Sequence, residues 1–189
     1  MNGRKAFKGM APDGYRIRMM EPGETERLRA IDAAADRLLI EAGHIADVGP
    51  ADLETFVAFL LAHEVFVAEE KDGAAVGFAA AADLATLTGD PSASGCYWIS
   101  GLAVDPAHGR RGIGSALLAA VCRRAEWFFH RAVGLSTAGN LPFGERFYER
   151  RRFVRVADAD LTPALLQRRD MEWPAGALPG SRTVMVRWL

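Results

Sequence analysis

The stretch from Gly101 to Ser115, GLAVDPAHGRRGIGS, combines the residue types best suited to bind an anion through the polypeptide backbone. Its second half contains three glycines and two arginines, namely Gly109, Gly112, Gly114, Arg110 and Arg111. The glycines let the backbone approach a ligand closely, and the first turn of a following helix has amide N–H groups without partners inside the helix. The positive end of the helix dipole and two guanidinium groups add favourable charge. The pattern therefore predicts a pyrophosphate site formed by the amides of residues 110–115.

Two common nucleotide-binding motifs fit this stretch poorly. A Walker loop requires Gly-Lys followed by Ser or Thr, whereas Gly112-Ile113-Gly114 is followed by Ser115-Ala116. A dinucleotide-binding fingerprint requires a third small residue where Leu117 stands. It also requires an acidic residue about 20 positions further on, where glycine, alanine and leucine stand instead. The predicted anion site is therefore of a different kind.

The elements that position this stretch follow from the hydrophobic pattern, which predicts an α+β (mixed α/β) fold around a single sheet. Strands are predicted at residues 15–20, 65–68, 75–78, 96–104, 133–136, 153–156 and 183–189. Helices are predicted at residues 24–40, 52–61, 112–130, 142–151 and 162–172. The third strand continues to about Leu87 in this prediction, and a loop follows at 88–95. Gly101, inside the apolar run CYWISGLAV, indicates a bulge or a close backbone approach.

With these elements in place, the sequence resembles the GNAT-type N-acetyltransferase superfamily. The acyl-coenzyme A loop of that family has the pattern Gln/Arg-x-x-Gly-x-Gly/Ala, which Gly109-Arg110-Arg111-Gly112-Ile113-Gly114 matches. A second match is Phe147-Tyr148-Glu149-Arg150-Arg151-Arg152-Phe153, which is similar to Phe-Tyr-x-x-x-Gly-Phe. The resemblance implies a single GNAT-like domain at residues 14–189 after a flexible tail at 1–13. Its central mixed, mostly antiparallel sheet would be splayed at a bulged strand and covered by helices on both faces.

The resemblance also implies a function and a set of site residues. An N-acetyltransferase would move an acetyl group from acetyl-CoA, as cosubstrate and without a metal, to a primary amine of a small molecule or peptide, by direct attack in a ternary complex. The backbone of Leu102, Ala103 and Val104 would bind the pantetheine arm. Tyr148 would be the general acid that protonates the departing thiolate. The remaining cofactor-binding residues would be Gly109, Arg110, Arg111, Gly112, Ile113, Gly114 and Ser115.

Three positions depart from the family's patterns. Gly109 stands where Gln or Arg is usual, Gly144 where Asn is common, and Arg152 where the second motif has glycine. The turn at Arg152 is therefore expected to differ or to be strained. Many relatives carry a glutamate on the bulged strand as general base, where this chain offers Ser100. The other candidates for the base are Glu69, Asp83 and His44, each of which is more often a surface residue.

The composition limits the classes of protein to which this chain can belong. The chain has 189 residues, of which 50% are hydrophobic and 25% charged, with a net charge of -1, which predicts one compact domain and excludes a disordered chain. No stretch approaches about 18 consecutive apolar residues, so no membrane span is expected. The N-terminus lacks the apolar block of a secretory signal. Cys96 and Cys122 show neither metal-ligand nor disulfide spacing, which is typical of a reducing compartment. A cytoplasmic protein is therefore predicted.

The distribution of charge along the chain indicates which partners to expect. Residues 1–104 hold 9 basic and 16 acidic side chains, and residues 105–155 hold 10 basic and 4 acidic ones. An acidic first part would favour an amine acceptor, which could be an aminoglycoside, a polyamine, an amino acid or a protein N-terminus. The near-neutral total argues against a nucleic-acid partner, despite Arg146, Arg150, Arg151, Arg152 and Arg155. A monomer or homodimer is expected. The alternative function is a non-catalytic acyl-CoA sensor of the same fold.

Overall fold

The computed structural model describes residues 7, 9–43, 47, 49–138, 144–172 and 182–189. The strands among them are β1 (Tyr15–Met19), β2 (Glu64–Glu70), β3 (Ala75–Asp83), β4 (Cys96–Val104), β5 (Ala132–Ala138), β6 (Val154–Arg155) and β7 (Arg182–Trp188). The α-helices among them are α1 (Thr25–Glu41), α2 (Leu53–Leu61), α3 (Leu84–Thr88), α4 (Ile113–Trp127), α5 (Glu145–Glu149) and α6 (Pro163–Met171). Short 3-10 turns lie at Pro91–Ala93, Pro106–His108 and Asp158–Asp160.

The strands form a mixed sheet, ordered β1-β2-β3-β4-β5-β7-β6 over the described residues. Antiparallel pairs are formed by β1 with β2, β2 with β3, β5 with β7 and β6 with β7. β4 and β5 run parallel, which α4 makes possible because a parallel connection needs a crossover. The predicted α+β class with a mixed, mostly antiparallel sheet is therefore confirmed.

The chain divides into two compact units. The first comprises the described residues of Met1–Leu39, Gly49–Ala81 and Gly101–Arg124. Apolar side chains that recur at helical spacing along α1 point into the core of this unit, and two of them, Leu28 and Ile31, are fully buried. They pack with Phe56, Leu60, Val65, Val67, Ala75, Phe78, Ala80 and Ala103. The side chain of Asp52 accepts a hydrogen bond from the Thr55 amide at 2.8 Å, which caps α2 at its first turn.

The second unit comprises the described residues of Ile40–Val48, Ala82–Ser100 and Ala125–Leu189. Its core contains Leu84, Trp98, Ala132, Ala164, Val184 and Val186. Trp98 is fully buried and lies directly over Gly134, where an added Cβ would be 2.8 Å from the indole Cε3. Only glycine fits at position 134 without displacing the indole. The prediction of one domain at 14–189 after a tail at 1–13 stays a prediction.

One element differs from the prediction. The third strand ends at Asp83 rather than near Leu87, because the Asp83 side chain accepts the Ala85 amide at 2.8 Å and caps the short helix α3. Gly89 then ends α3 in the left-handed conformation, at φ 70°. The other strands and helices agree with the prediction to within a few residues, and residues 142 and 143 of the helix predicted at 142–151 lie outside the described residues.

Candidate functional site

The parallel pairing of β4 with β5 ends part-way along β4. The parallel ladder runs from Cys96 opposite Ala132 to Ile99 opposite Leu135. Leu102, Ala103 and Val104 therefore lie beyond that ladder, while β5 continues in its pairing with β7 as far as Ala138. Peptide groups outside a ladder need other hydrogen-bond partners, so this part of β4 has backbone groups suited to an extended ligand.

Gly101 and Gly77 permit close approaches around this part of β4. An added Cβ at Gly101 would lie 3.1 Å from Cζ of Phe59, so the approaching group is an α2 side chain rather than backbone. An added Cβ at Gly77 would lie 2.9 Å from the carbonyl oxygen of Ala103. No side chain larger than hydrogen fits at Gly77 unless the backbone moves.

The chain leaves β4 through a turn held by Asp105. Its carboxylate accepts the Ala107 amide at 3.0 Å and binds the guanidinium of Arg27 at 2.8 Å. The pKa of Asp105 is lowered because these hydrogen bonds, from Ala107 first and Arg27 second, outweigh its partial burial. Asp105 therefore stays ionised and fixes the direction in which the loop leaves the strand.

The N-terminus of α4 follows this loop. Its first intrahelical hydrogen bond is donated by Ala116 to the carbonyl of Gly112 at 3.0 Å. The amides of Ile113 and Gly114 therefore point out of the first turn rather than into the helix. Together with the helix dipole they favour an anion at this end of α4.

The three glycines of the loop have different backbone conformations. Gly112 has φ 85°, which requires glycine, whereas Gly109 has φ -60° and is conformationally ordinary. Gly114 lies inside α4. The second left-handed residue is Arg110, at φ 62°, a conformation that is unfavourable for a residue with a Cβ. Two left-handed residues thus bend this loop, but only one of them is a glycine.

The two arginines of the loop have different surroundings. Arg111 donates a hydrogen bond to the hydroxyl of Tyr15 at 2.9 Å, and that hydroxyl also lies 3.0 Å from Nδ1 of His108. Arg110 is exposed. His108 is half-buried. Arg111, like Arg110, is exposed, and its hydrogen bond to Tyr15 holds it against β1.

Tyr148 lies in the second unit, on α5. Its ring contacts Phe147 and Phe153, with centroid distances of 5.0 and 5.8 Å and edge-on geometry. The turn after α5 has the two hydrogen bonds of a Schellman motif, from the Phe153 amide to the Tyr148 carbonyl and from the Arg152 amide to the Glu149 carbonyl. Such a turn fixes the aromatic pair of Tyr148 and Phe153.

Arg152 takes the position in this motif that normally holds glycine. Its φ is 67°, in the left-handed region, so the turn keeps its usual shape and carries the strain expected of a side chain there. At the other end of α5, Gly144 is the N-cap residue and forms no side-chain cap. An Asn at position 144 would supply such a cap.

The environment of Tyr148 keeps its phenol protonated. Burial raises the pKa of Tyr148 to about 12, although the charges of Arg182 and Arg151 act to lower it. The phenol therefore holds its proton throughout the neutral range, as a proton donor must.

A polar cluster in the same unit surrounds one carboxylate. The members of this polar cluster are Trp98, Ser100, Ser136, Arg168, Glu172 and Arg182. Glu172 accepts hydrogen bonds from the indole of Trp98 at 2.6 Å, from Arg168 at 2.8 Å and from the hydroxyl of Ser136. These contacts hold the carboxylate with donors on both of its oxygens.

Two arginines complete the polar cluster. Nη2 of Arg168 donates to Ser100 at 2.9 Å as well as to Glu172. Arg182 donates to the hydroxyl and the carbonyl of Ser136 at 2.9 and 3.0 Å, and lies 3.9 Å from Glu172. Sequence reasoning missed Arg168, Glu172 and Arg182. The available signal was the i,i+4 spacing of Arg168 and Glu172 at the end of a short helix.

The candidate bases occupy structural roles. Glu69 was expected at the surface but is 3% exposed, and it forms ion pairs with Arg16 and Arg18. These guanidinium groups lower the pKa of Glu69 despite its burial, so it is a poor proton acceptor. Asp83 caps α3 and lies 3.3 Å from Nδ1 of His130. His44 lies outside the described residues.

A family model described as the acetyltransferase (GNAT) family matches residues 33–153. This match spans more than half of the chain, which therefore belongs to the GNAT acetyltransferase family. The protein is accordingly an acetyltransferase, and its family uses acetyl-CoA together with an acceptor substrate. The match ends at Phe153 and includes both motifs and Tyr148.

Solved structures share the fold. A GCN5-related N-acetyltransferase from Kribbella flavida is 18% identical, with a TM-score of 0.66, and 94% of this chain covers 99% of that one. A ribosomal-protein-alanine N-acetyltransferase from Brucella melitensis is 16% identical, with a TM-score of 0.66, and the match covers 92% of this chain and 99% of that one. N-acetylglutamate synthase from Neisseria gonorrhoeae, complexed with coenzyme A and N-acetyl-glutamate, is 20% identical, with a TM-score of 0.61. That match covers 93% of this chain and 35% of the synthase chain.

The described ranges of the chain also bear on membranes and metals. None of the helices in these ranges combines the length and hydrophobicity needed to cross a bilayer. Within the same ranges, no group of three or more His, Cys, Asp or Glu side chains has an arrangement that could hold a metal ion.

Proposed function

We propose that this acetyltransferase transfers the acetyl group of acetyl-CoA to a primary amine of a small molecule or peptide. The observation that carries the proposal is the start of α4, where outward-pointing amides follow a strand that has left its ladder. The family's loop pattern falls on this segment, at Gly109–Gly114. A pyrophosphate fits there because backbone N–H groups, a helix dipole and the exposed Arg110 all favour negative charge.

The proposed binding residues divide into two groups. The backbone groups of Leu102, Ala103 and Val104 would hold the pantetheine arm by hydrogen bonds. The pyrophosphate would be held by the loop, comprising Gly109, Arg110, Arg111, Gly112, Ile113, Gly114 and Ser115. Arg111 already binds Tyr15, so we assign it chiefly a structural part in shaping the loop.

The chemistry that acetyl-CoA supplies when bound is an acetyl group activated as a thioester. In the proposed reaction, the neutral amine attacks the acetyl carbonyl carbon directly, a C–N bond forms and the C–S bond breaks. The attacking nitrogen loses its proton to solvent, since we assign no side chain as base. Tyr148 donates its phenolic proton to the leaving sulfur and regains one from solvent.

Tyr148→Phe tests this proposal because it removes the proton and keeps the ring between Phe147 and Phe153. Thiol release from acetyl-CoA over a panel of amines should fall about 100- to 10,000-fold in kcat, the range typical of general acid catalysis. Calorimetry should show acetyl-CoA affinity close to that of the unchanged protein. An undiminished rate would contradict the role of Tyr148.

Binding of the cosubstrate needs its own test. Gly112→Ala forces a Cβ onto a residue at φ 85°, so it should weaken acetyl-CoA binding in calorimetry. Gly89→Ala is a matched control, since Gly89 has φ 70° at the end of α3 and lies outside the proposed loop. Absence of any heat with acetyl-CoA would refute the proposal. Binding without turnover of any amine would favour the sensor alternative.

A further inference from the structure

The polar cluster buries two guanidinium groups against one carboxylate. The side chains of Arg168, Arg182 and Glu172 are 9%, 17% and 12% exposed. Glu172 neutralises one positive charge, so one guanidinium is left without a counter-ion within the described cluster. Burying a charge is costly unless an opposite charge accompanies it. An anion at this position would remove the imbalance.

Arg168 also has an unused donor. Its Nη2 is engaged by Ser100 and Glu172, but its Nε is buried and has no hydrogen-bond partner among the residues that the structure describes. The residue as a whole is 8% exposed. A buried donor without an acceptor is destabilising, and Glu172 already accepts from three neighbours. An oxyanion could supply both the missing charge and the missing acceptor.

The location of the polar cluster connects it with the proposed chemistry. Trp98 lies opposite Gly134 in the last part of the β4–β5 ladder. Ser100 and Ser136, each two residues further along, therefore share that face of the sheet just beyond the end of the ladder. The charges of Arg182 and Glu172 both act on Tyr148, so the polar cluster and the proposed general acid occupy one neighbourhood.

We infer that Arg168 and Arg182 bind an oxyanion carried by the acceptor, so that the amine acetylated by this protein also bears a carboxylate, sulfonate or phosphonate group. A guanidinium presents its donors in a planar fork that matches such oxyanions. This inference rests on the proposed function and names the acceptor class. It refines the expectation drawn from the acidic first part of the chain, because the acceptor carries a negative as well as a positive group.

The test compares acceptors that differ only in the oxyanion. The common L-amino acids are assayed as free acids and as primary amides, and taurine and 2-aminoethylphosphonate are compared with ethanolamine. Thiol release from acetyl-CoA should give kcat/KM values about 10- to 100-fold higher for the preferred oxyanion acceptor than for its neutral partner. The three series separate a carboxylate from a sulfonate or a phosphonate. Equal rates, or preference for the neutral partners, would overturn the inference.

Arg182→Gln should abolish most of this preference by raising KM for the oxyanion acceptor about 10-fold or more, with little change for the neutral partner. Arg155→Gln is the matched control, since it removes the same charge from an exposed residue of β6. Arg168→Lys keeps the charge and loses the fork, so it should retain part of the preference. A merely structural role would lower the rates with both kinds of acceptor equally.

Calorimetry separates this inference from the proposed function. Heat with acetyl-CoA supports the cofactor site whatever the acceptor. If no probe is acetylated, the same acids and amides are titrated into the coenzyme A-loaded protein. Heat from the acids alone, lost in Arg182→Gln, supports the oxyanion subsite. No heat from any acid overturns it, even if acetyl-CoA binds.

Discussion

Replacement of Arg152 by glycine should stabilise the protein. Arg152 has φ 67° in the Schellman turn after α5, where the Phe153 amide binds the Tyr148 carbonyl at 3.2 Å. A left-handed residue with a Cβ costs about 1–2 kcal/mol. Glycine removes that cost but gives the unfolded chain more freedom, which offsets about 0.4–1 kcal/mol. The expected net gain is therefore about 0.5–1 kcal/mol.

For a chain of this length, 1 kcal/mol corresponds to roughly 2–4 °C in Tm, so Arg152→Gly should raise Tm by about 1–4 °C in a thermal melt. The matched control is Arg150→Gly, which removes the same charge from an exposed residue at φ -61°. Glycine has no advantage at that φ, and the control should lose about 0.5–1 kcal/mol. If both variants lower Tm by the same amount, the left-handed strain assigned to Arg152 is wrong.

Two further predictions concern stability in the first unit. Burial, with Asp36 second, raises the pKa of Asp32 to about 7 from 3.8, so its carboxyl destabilises the fold increasingly as pH rises through that interval. Asp32→Asn should therefore stabilise more at pH 8 than at pH 5 in urea unfolding. The free energy of stabilisation at pH 8 should exceed that at pH 5 by about 1–2 kcal/mol. This is less than the full pKa shift implies, because the half-buried group keeps some contact with water. A pH-independent effect of the substitution would contradict this. Gly77→Ala places a Cβ 2.9 Å from the Ala103 carbonyl oxygen, and should cost about 1–3 kcal/mol and weaken acetyl-CoA binding by calorimetry. Unchanged Tm and affinity would show that the backbone around Gly77 can move far enough to accept a methyl group.

Local signals made much of the fold predictable. The run Cys96–Val104 is apolar and bounded by turn residues, and it forms β4 with the same limits. Asp52 stands before an amphipathic stretch and caps α2. The end of β3 was not predictable from its apolar run, because the capping bond of Asp83 competes successfully with strand continuation. A short side-chain hydrogen bond thus outweighed hydrophobic periodicity at that point.

The sequence by itself determined the loop before α4, since its glycines, arginines and helix start are contiguous and their chemistry depends on local backbone geometry. It also indicated Tyr148 through a short motif. Only the tertiary structure decided which loop residue would carry strain, because the φ of Arg110 follows from the path between β4 and α4. Tertiary structure alone also assembled the polar cluster, whose charges come from α6, its C-cap residue Glu172 and β7, and whose hydroxyls come from β4 and β5. These side chains are far apart along the chain, so their burial and charge balance arise from packing and leave no contiguous pattern in the sequence.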